Sequence, residues 1–585
     1  MRHFIVFLLL LISFDAMAVD KVLVRGKVID EEQEPVAGAT VTVLNRSLGV
    51  NTNAKGEYLL TLPAGKASIT VSFTGYKTKT VEYDLQTNTN NVDFTLEKNP
   101  IALESVTVTA QQREQQLMDI PITISAVSAQ TLESSNIRNP EQLSDFVPGL
   151  NIRVQTPHRP TFVIRGLSSD EVSPTAQPRV SVYFNNIPTS RASMALTELY
   201  DMERVEVAKG PQGTLFGRGA QIGAINFISR KPTDDLGGYL SASGGNFATK
   251  EVQGAINVPI VKNKLMARAS GIYSYQDGYV KNLSGGDNLN GKNTFGGRLA
   301  LAYQPIEKLR FDLMVNYQKD DNPGTAFMSK KYPNSNGGDI FSYETSLDPE
   351  KTWYNKRDVL LSSFDVKYYF NANNYLSYAT SFTKNTADHH WDGDGTVAPA
   401  IDMTEGVKAN QFSQEIRYNY SINSRLNGFV GESYWREDVK YKHSFSPNEQ
   451  YFGHLYLPIL ADGIDNAYGM GGMLSGGVKQ ELDYYNLFTP LTSLPVALQM
   501  LLTQGGMSQI PPLTTNHSEE SNNGAVNQSY DIFADATYKI TSKLSVTAGI
   551  RAAFEAIETT TEAHITGGDP ATMGMLAGTY PNVFY

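Results

Sequence analysis

Short runs of alternating apolar and polar residues recur along almost the whole chain. Val22–Val24, Ala39–Val43, Tyr58–Leu62 and Ser68–Phe73 come first, each bounded by turn residues, and this spacing predicts a small β-sandwich. Between Glu97 and Gln116 the chain turns polar and linker-like, apart from one strand-prone island at Glu104, Ser105, Val106, Thr107, Val108, Thr109 and Ala110. After Pro232 the period of two returns and persists. Leu265–Tyr275 reads as a strand after the tight Pro259–Lys264 connection, and Leu299, Leu301 and Tyr303 lead through Gln304–Lys308 into Leu309, Phe311, Leu313, Val315 and Tyr317. Tyr530–Tyr538 passes through Ile540–Leu544 into Ser545–Arg551 in the same manner. Alternate apolar positions give each strand one apolar face. Short turns alternating with long polar connections predict a transmembrane barrel, because a soluble sandwich has no reason for that asymmetry.

Composition changes the picture only in the light of that pattern. Hydrophobic residues make up 41% of the 585 and the mean hydropathy is -0.29, which suits a barrel whose strands are half polar as well as it suits a soluble protein. The 31 tyrosines and 26 phenylalanines would supply interfacial girdles, and the 48 glycines turns and close packing. A net charge of -11 leaves no basic stripe for nucleic acid. With no cysteine, disulfides, thiolate metal sites and thiol catalysis are excluded. At the start, Arg2, the apolar run Phe4–Ile12 and the small residues of Ala16-Met17-Ala18 predict a signal peptide, residues 1–18. The run is far shorter than the roughly 20 apolar residues of a spanning helix.

Two resemblances follow from blocks of residues. Gly26–Asp30, Pro35–Ala39, Asn53–Tyr58, Pro63–Gly65 and Gly75-Tyr76 closely resemble the carboxypeptidase regulatory-like family, which implies a transthyretin-like accessory fold over residues 19–97 and, with no His/Glu metal cluster beside it, no peptidase. Asp119–Ile122, Leu143–Leu150, Ile164–Leu167, Val182–Pro188 and the long block Met202–Pro232 resemble, in order, the plug domain of the TonB-dependent receptors, placed at 117–232. The motif positions are Gly166, Gly210, Pro211, Gly213, Gly217, Gly223 and Asn226. A small departure stands at Arg218–Gly223, where relatives commonly carry Asn-Xaa-Xaa-Gly-Gly. The resemblance makes the island Glu104–Ala110, in the linker 98–116, the TonB box. An unpaired β-branched strand can add to the sheet edge of a periplasmic energy-coupling protein without a preformed pocket.

The same residues fit other chemistry less well. Gly217-Arg218-Gly219 with Gly223 lacks the βαβ unit and ribose-binding acid of a dinucleotide loop, and no Gly-Lys-Ser/Thr follows to make a phosphate loop. The plug glycines instead suit tight turns where plug meets wall. Arg165, Arg204, Glu206 and Arg218 are the expected plug–barrel contacts, since charges in a polar lumen can pair across it and separate under force. His389-His390-Trp391-Asp392 is expected in a loop, with adjacent histidines diverging on extended backbone; Leu455–Val526 is read as a long extracellular loop with a short helix at Leu494–Leu502 capped by Ser493.

The expected fold is therefore mainly β: a transthyretin-like sandwich, an α+β plug and a partial antiparallel transmembrane barrel over 233–585. A barrel that holds a plug needs about 22 strands, whereas about a dozen are legible after the plug, and Gly567–Tyr585 reads as a loop. The sequence thus reads as a fragment of a longer receptor. The resemblance implies an outer-membrane importer, not an enzyme, with no cofactor. Its partners would be a TonB-type protein, outer-membrane lipid and an iron chelate or other small-molecule substrate. Glycans, cobalamin, and a passive porin or adhesin are the alternatives; a hydrolase would need a clustered acid, base or nucleophile set that the linear sequence does not display.

Overall fold

The computed structural model describes residues 21–43, 49–73, 76–85, 89–97, 107–108, 115–116 and 122–566, the last stretch less 155, 157–158, 169–172, 218, 330–341, 372, 424, 469–470, 485–489, 492, 497, 501–512 and 542. The expected signal peptide and Gly567–Tyr585 lie outside the described residues. Two compact units divide the chain at residues 107 and 108.

In the first unit the alternation makes two facing sheets. Strands β1 (Lys21–Asp30), β2 (Thr40–Val43), β3 (Gly49–Asn51), β4 (Glu57–Pro63), β5 (Gly65–Ser72), β6 (Lys79–Leu85), β7 (Thr89–Asn91) and β8 (Phe94–Leu96) follow in chain order. One sheet sets β1 between antiparallel β4 and parallel β7 and β8; the other runs β3-β2-β5-β6. Val24, Val28, Val41, Leu60, Ile69, Val71 and Phe94 fill the space between them. Gly26 is required by close approach. A Cβ there would stand 1.7 Å from the Val92 carbonyl oxygen, which already accepts the Tyr58 hydroxyl at 2.7 Å.

Of the expected coupling strand, only β9 (Thr107–Val108) is described, paired with β10 (Gln115–Gln116); Glu104, Ser105, Val106, Thr109 and Ala110 lie outside the described residues.

The second unit nests one domain against a large sheet. Its inner domain, the plug, holds β11 (Ile124–Ser128), β12 (Leu150–Val154), β13 (Pro160–Ile164), β14 (Leu167–Ser168), β15 (Val180–Phe184), β16 (Ile187–Thr189), β17 (Met202–Lys209) and β18 (Gly223–Ser229). Five of these pair as β11-β17-β18-β15-β16, and β12-β13-β14 make a smaller sheet. Ser128 caps the helix Ala129–Ser134, and Asn139 with Gln142 forms a capping box on the turn Pro140–Asp145.

The large sheet continues the chain as β19 (Gly237–Gly245), β20 (Thr249–Val261), β21 (Leu265–Gln276), β22 (Lys281–Asn282), β23 (Lys292–Ile306), β24 (Leu309–Pro323), β25 (Glu344–Thr345), β26 (Tyr354–Asn371), β27 (Asn374–Asp392), β28 (Ile401–Ser421), β29 (Leu426–Pro447), β30 (Ser518–Lys539) and β31 (Ser545–Thr566). Eleven of them form one antiparallel meander, while β22 and β25 pair separately within the loops. At one end the turns are short (262–264, 307–308, 372–373, 422–425, 540–544); at the other most are long (277–291, 324–353, 393–400, 448–517). Among the described residues β19 and β31 are unpaired edges, so the sheet is open.

Its burial is inverted relative to a soluble protein. Leu240, Ile256, Phe295, Leu299, Leu313, Val315, Phe364, Phe412, Ile416 and Ile532 face outward and are exposed, Leu240 by 80%. Asn316, Gln318, Asp320, Arg357, Gln411, Glu437 and Asn527 face the plug and are buried. An apolar band outside and polar groups inside suit a wall standing in lipid. Met314, Val359 and Leu361 join the plug core of Leu143, Ile164, Val205, Val207, Ile225 and Phe227, so plug and wall share apolar contact as well.

Two expectations are corrected. The insert is not a plain loop: Glu449–Tyr468 and Met473–Tyr484 are helices, packed through Leu457, Leu460, Ala461, Ile464, Leu474 and Val478, and β30 begins at Ser518, well before Val526. Residues 496 and 498–500 are helical within the expected Leu494–Leu502 segment. His389–Asp392 closes strand β27 instead of lying in a loop.

Candidate functional site

Among the contacts between plug and wall, three regions stand out. Along Ser193–Asp201, a stretch with little regular structure, wall cations meet plug acceptors. Arg357 is fully buried and donates to the carbonyls of Ser193 (3.1 Å) and Ala195 (2.7 Å) and to Thr197 Oγ1 (3.1 Å), with Asp320 as its ion partner at 2.7 Å. Arg298 lies between the rings of Phe184 (4.9 Å) and Tyr200 (4.6 Å) and reaches the Asp201 carbonyl at 3.3 Å. Arg268 pairs with Asp201, its Nε at 2.8 Å, and Lys292 pairs with Glu198 at 2.7 Å. Burial pushes the Glu198 carboxyl up to about 7 against the pull of Lys292, and its Oε2 has no hydrogen-bond partner among the described residues.

At Ser190–Arg191 the polarity is reversed. Arg191 comes from the plug and is buried; it donates to Glu437 of the wall through Nε (2.9 Å) and Nη2 (2.5 Å), and to the plug carbonyls of Ser173 (2.9 Å) and Pro174 (2.6 Å). Burial works against its charge, and Glu437 with Tyr441 outweighs burial, so the guanidinium is held above its ordinary value. Ser190 also bonds Glu437. Gln411 accepts from the Ser190 backbone N–H (3.2 Å) and donates to the Pro188 carbonyl (2.6 Å), while Asn527 donates to Glu437 and to Pro174 O, each at 3.0 Å.

The third region is a pair of cavities. At the long-loop end, Arg159, Phe327, His389, Trp391, Glu405 and Tyr441 line a cavity of about 380 Å³ over the plug. Arg159 pairs with buried Glu405 at 3.2 Å, and His389 stacks on Trp391 with ring centroids 4.5 Å apart. As extended backbone requires, His390 points away, to Asp402 at 2.6 Å. A larger cavity of about 710 Å³ lies towards the short-turn end, between plug residues such as Tyr183, Asn185 and Asn186 and the inner faces of β26–β31. Among the described residues no group of three His, Cys, Asp or Glu is placed to hold a metal ion.

The residues singled out from sequence take varied places. Arg204 pairs with Glu203 and, at 2.8 Å, with Glu206, both on its own strand. Arg165 sits at a left-handed φ of 52° after β13, its N–H donating to Gly149 O at 2.7 Å, with Gly166 next in the turn. Arg218 lies outside the described residues. Asn226 is buried and holds the Asn185–Asn186 turn, its Nδ2 donating to Asn186 Oδ1 at 2.7 Å. Gly217 has φ 74°, and a Cβ on it would come within 2.6 Å of the Arg551 guanidinium of the wall; one on Gly223 would meet Ala208 O at 2.5 Å. Gly210, Pro211 and Gly213 lead from β17 into the one-turn helix Gly213–Phe216.

Sequence reasoning missed Arg191, Arg268, Arg298, Arg357, Asp320 and Glu437. A signal existed for the wall residues: once Leu313, Val315 and Tyr317 are set outward, Asn316, Gln318 and Asp320 must face in.

Comparison with known proteins fits this geometry. Residues 24–108 match the model of the CarboxypepD_reg-like domain and residues 116–224 that of the TonB-dependent Receptor Plug Domain. The chain is 28% identical over 191 residues to the pesticin receptor of Yersinia enterocolitica, covering 32% of this chain and 28% of that protein. It is 23% identical over 266 residues to the ferrioxamine B receptor of Salmonella typhimurium, covering 43% and 35%. The crystal structure of the ferric yersiniabactin uptake receptor FyuA from Yersinia pestis aligns with TM-score 0.57 at 17% identity, over 76% of this chain and 58% of that one. The matches span less than two thirds of each relative's length, and the structural one is a likeness of fold.

Proposed function

Starting from a chain that carries a TonB-dependent receptor plug domain behind a carboxypeptidase regulatory-like domain, we propose that it imports a scarce solute across the outer membrane, driven from the periplasm. The observation that carries this reading is a plug held by separable polar contacts against the inner face of a sheet whose outer face is apolar. A passive pore needs no such stopper. The long-loop end then faces outward and the short turns face the periplasm. Solute binds in the mouth above Arg159, Trp391 and Glu405, and binding frees Glu104–Ala110 for a TonB-type partner, whose pull moves the plug. The protein is a receptor and not an enzyme, and the work is done from outside it.

An iron chelate is the substrate we favour, supported by the ferrioxamine B and ferric yersiniabactin receptors among the similar proteins. The test offers ferric siderophores, cobalamin and oligosaccharides one at a time to a strain that depends on the full-length receptor. Growth on a ferric siderophore alone is expected. Growth only on cobalamin or an oligosaccharide replaces the substrate, and equal leakage of all three removes the energised reading in favour of a porin.

A further inference from the structure

The outer and inner cavities abut on the same plug residues: Ala176, Gln177, Pro178, Val182, Thr189, Ser190 and Arg191 line both. What separates them is therefore a thin partition made of the 173–178 and 190–191 segments and the Val182–Thr189 end of the β15–β16 pair. The two segments lie outside the strands of the plug sheet, so displacing them disturbs at most the Val182–Thr189 rung at the end of its β15–β16 ladder. The partition is tied to the wall by one residue from each of four consecutive strands, Gln411 of β28, Glu437 of β29, Asn527 of β30 and Glu555 of β31, which accepts from Gln177 at 2.8 Å. Arg191 is the hub, because it fastens both segments to each other, through the Ser173 and Pro174 carbonyls, and to Glu437.

We infer that the Arg191–Glu437 pair is the bolt of a gate, and that its release joins the two cavities into one path along β26–β30 while the rest of the plug stays folded. This rests on reading the chain as a plugged importer. The adjoining Ser193–Asp201 stretch, fixed by Arg268, Arg298 and Arg357, supplies a stationary point about which the partition can swing. A buried charge pair suits a bolt. Its closed state is well defined by geometry, yet a competing partner for either charge, or water admitted by a pull, removes much of its advantage. Any solute that brings a carboxylate or a cation to the floor of the mouth could compete for one half of the pair.

The test needs no knowledge of the solute. Full-length receptor in planar lipid bilayers is compared with Glu437→Gln and Arg191→Ala by ion conductance. A bias of this kind shifts a two-state element by roughly 5- to 150-fold, so a rise in open conductance of about tenfold or more is expected. Conductance equal to wild type in both variants overturns the gate. A second arm avoids variants that fail to fold. The natural chain has no cysteine, so Ser190→Cys with Gln411→Cys can be tied by a reducible crosslinker. Surface binding of solute should persist, uptake should fall at least about tenfold, and reduction should restore it. Uptake at the wild-type rate while crosslinked also overturns the gate. A wild-type receptor that takes up no solute at all defeats the import reading instead, and the conductance arm still decides the gate.

Discussion

Along Ser193–Asp201 the wall supplies four cations, Arg268, Lys292, Arg298 and Arg357, and the plug supplies carboxylates and carbonyl oxygens; at Ser190–Arg191 the plug supplies the cation and the wall one carboxylate, Glu437. The first region spreads its contacts over strands β21, β23, β24 and β26 and adds ring stacking on Arg298. The second concentrates them on one pair where two cavities meet. Arg357 reads plug carbonyls from the wall and so fixes the shape of a segment across the interface, whereas Arg191 reads carbonyls within the plug and crosses to the wall only through Glu437. The difference teaches that a stopper meant to move need not be weakly held everywhere: one flank can be an anchor and the other a latch.

The largest expected effect breaks the anchor. Arg357→Ala leaves Asp320 charged and buried and the Ser193 and Ala195 carbonyls without their donor, which should cost about 3–5 kcal/mol. Urea unfolding of the detergent-solubilised full-length receptor measures it, and a loss below about 1 kcal/mol would mean that the anchor is shared more widely than described. The next effect is on pH. The Glu198 carboxyl, raised from its ordinary 4.5 to about 7 by burial, binds its proton more tightly in the folded protein. Plug stability should therefore fall as pH rises through that window, by up to roughly 1.4 kcal/mol per unit, and level off above it. Glu198→Gln should flatten the slope in melting curves taken across the window; an unchanged slope assigns it to another group.

Smaller effects probe the plug beyond the two flanks. Gly217→Ala places a methyl group against the Arg551 guanidinium at a left-handed φ, with an expected loss of about 1–3 kcal/mol and faster protease cutting of the plug. Asn226→Ala removes the hydrogen bonds to Asn186 and should cost about 1–2 kcal/mol, read as earlier unfolding of the plug sheet in hydrogen exchange.

Much of this fold was legible because a lipid-facing strand must carry an apolar residue at every second position. The run Leu309 to Tyr317 shows it, and the structure continues that strand to Pro323. Where strands outrun the membrane both faces turn polar and the period disappears, which is why Ser518–Val526 read as loop although it begins a 22-residue strand. The helix Glu449–Tyr468 was hidden by Pro458 and by a Gly- and Met-rich setting, yet Leu457, Leu460, Ala461 and Ile464 carry the spacing of a helical face. Motif positions of the plug were readable by resemblance, but their partners were not. Arg204 is expected to bridge to the wall, and among its partners are Glu203 and Glu206 of its own strand. Arg191 carried no such signal, because its carboxylate lies 246 residues further along the chain.

The central claim is that the plug is moved by a pull from the periplasm through Glu104–Ala110. It is tested most directly by Val106→Pro in the full-length receptor, measuring surface binding and uptake of a radiolabelled ferric siderophore in the same cells. A proline removes a backbone donor that an added strand needs. Binding unchanged with uptake lost is the predicted result; uptake equal to wild type would contradict the account.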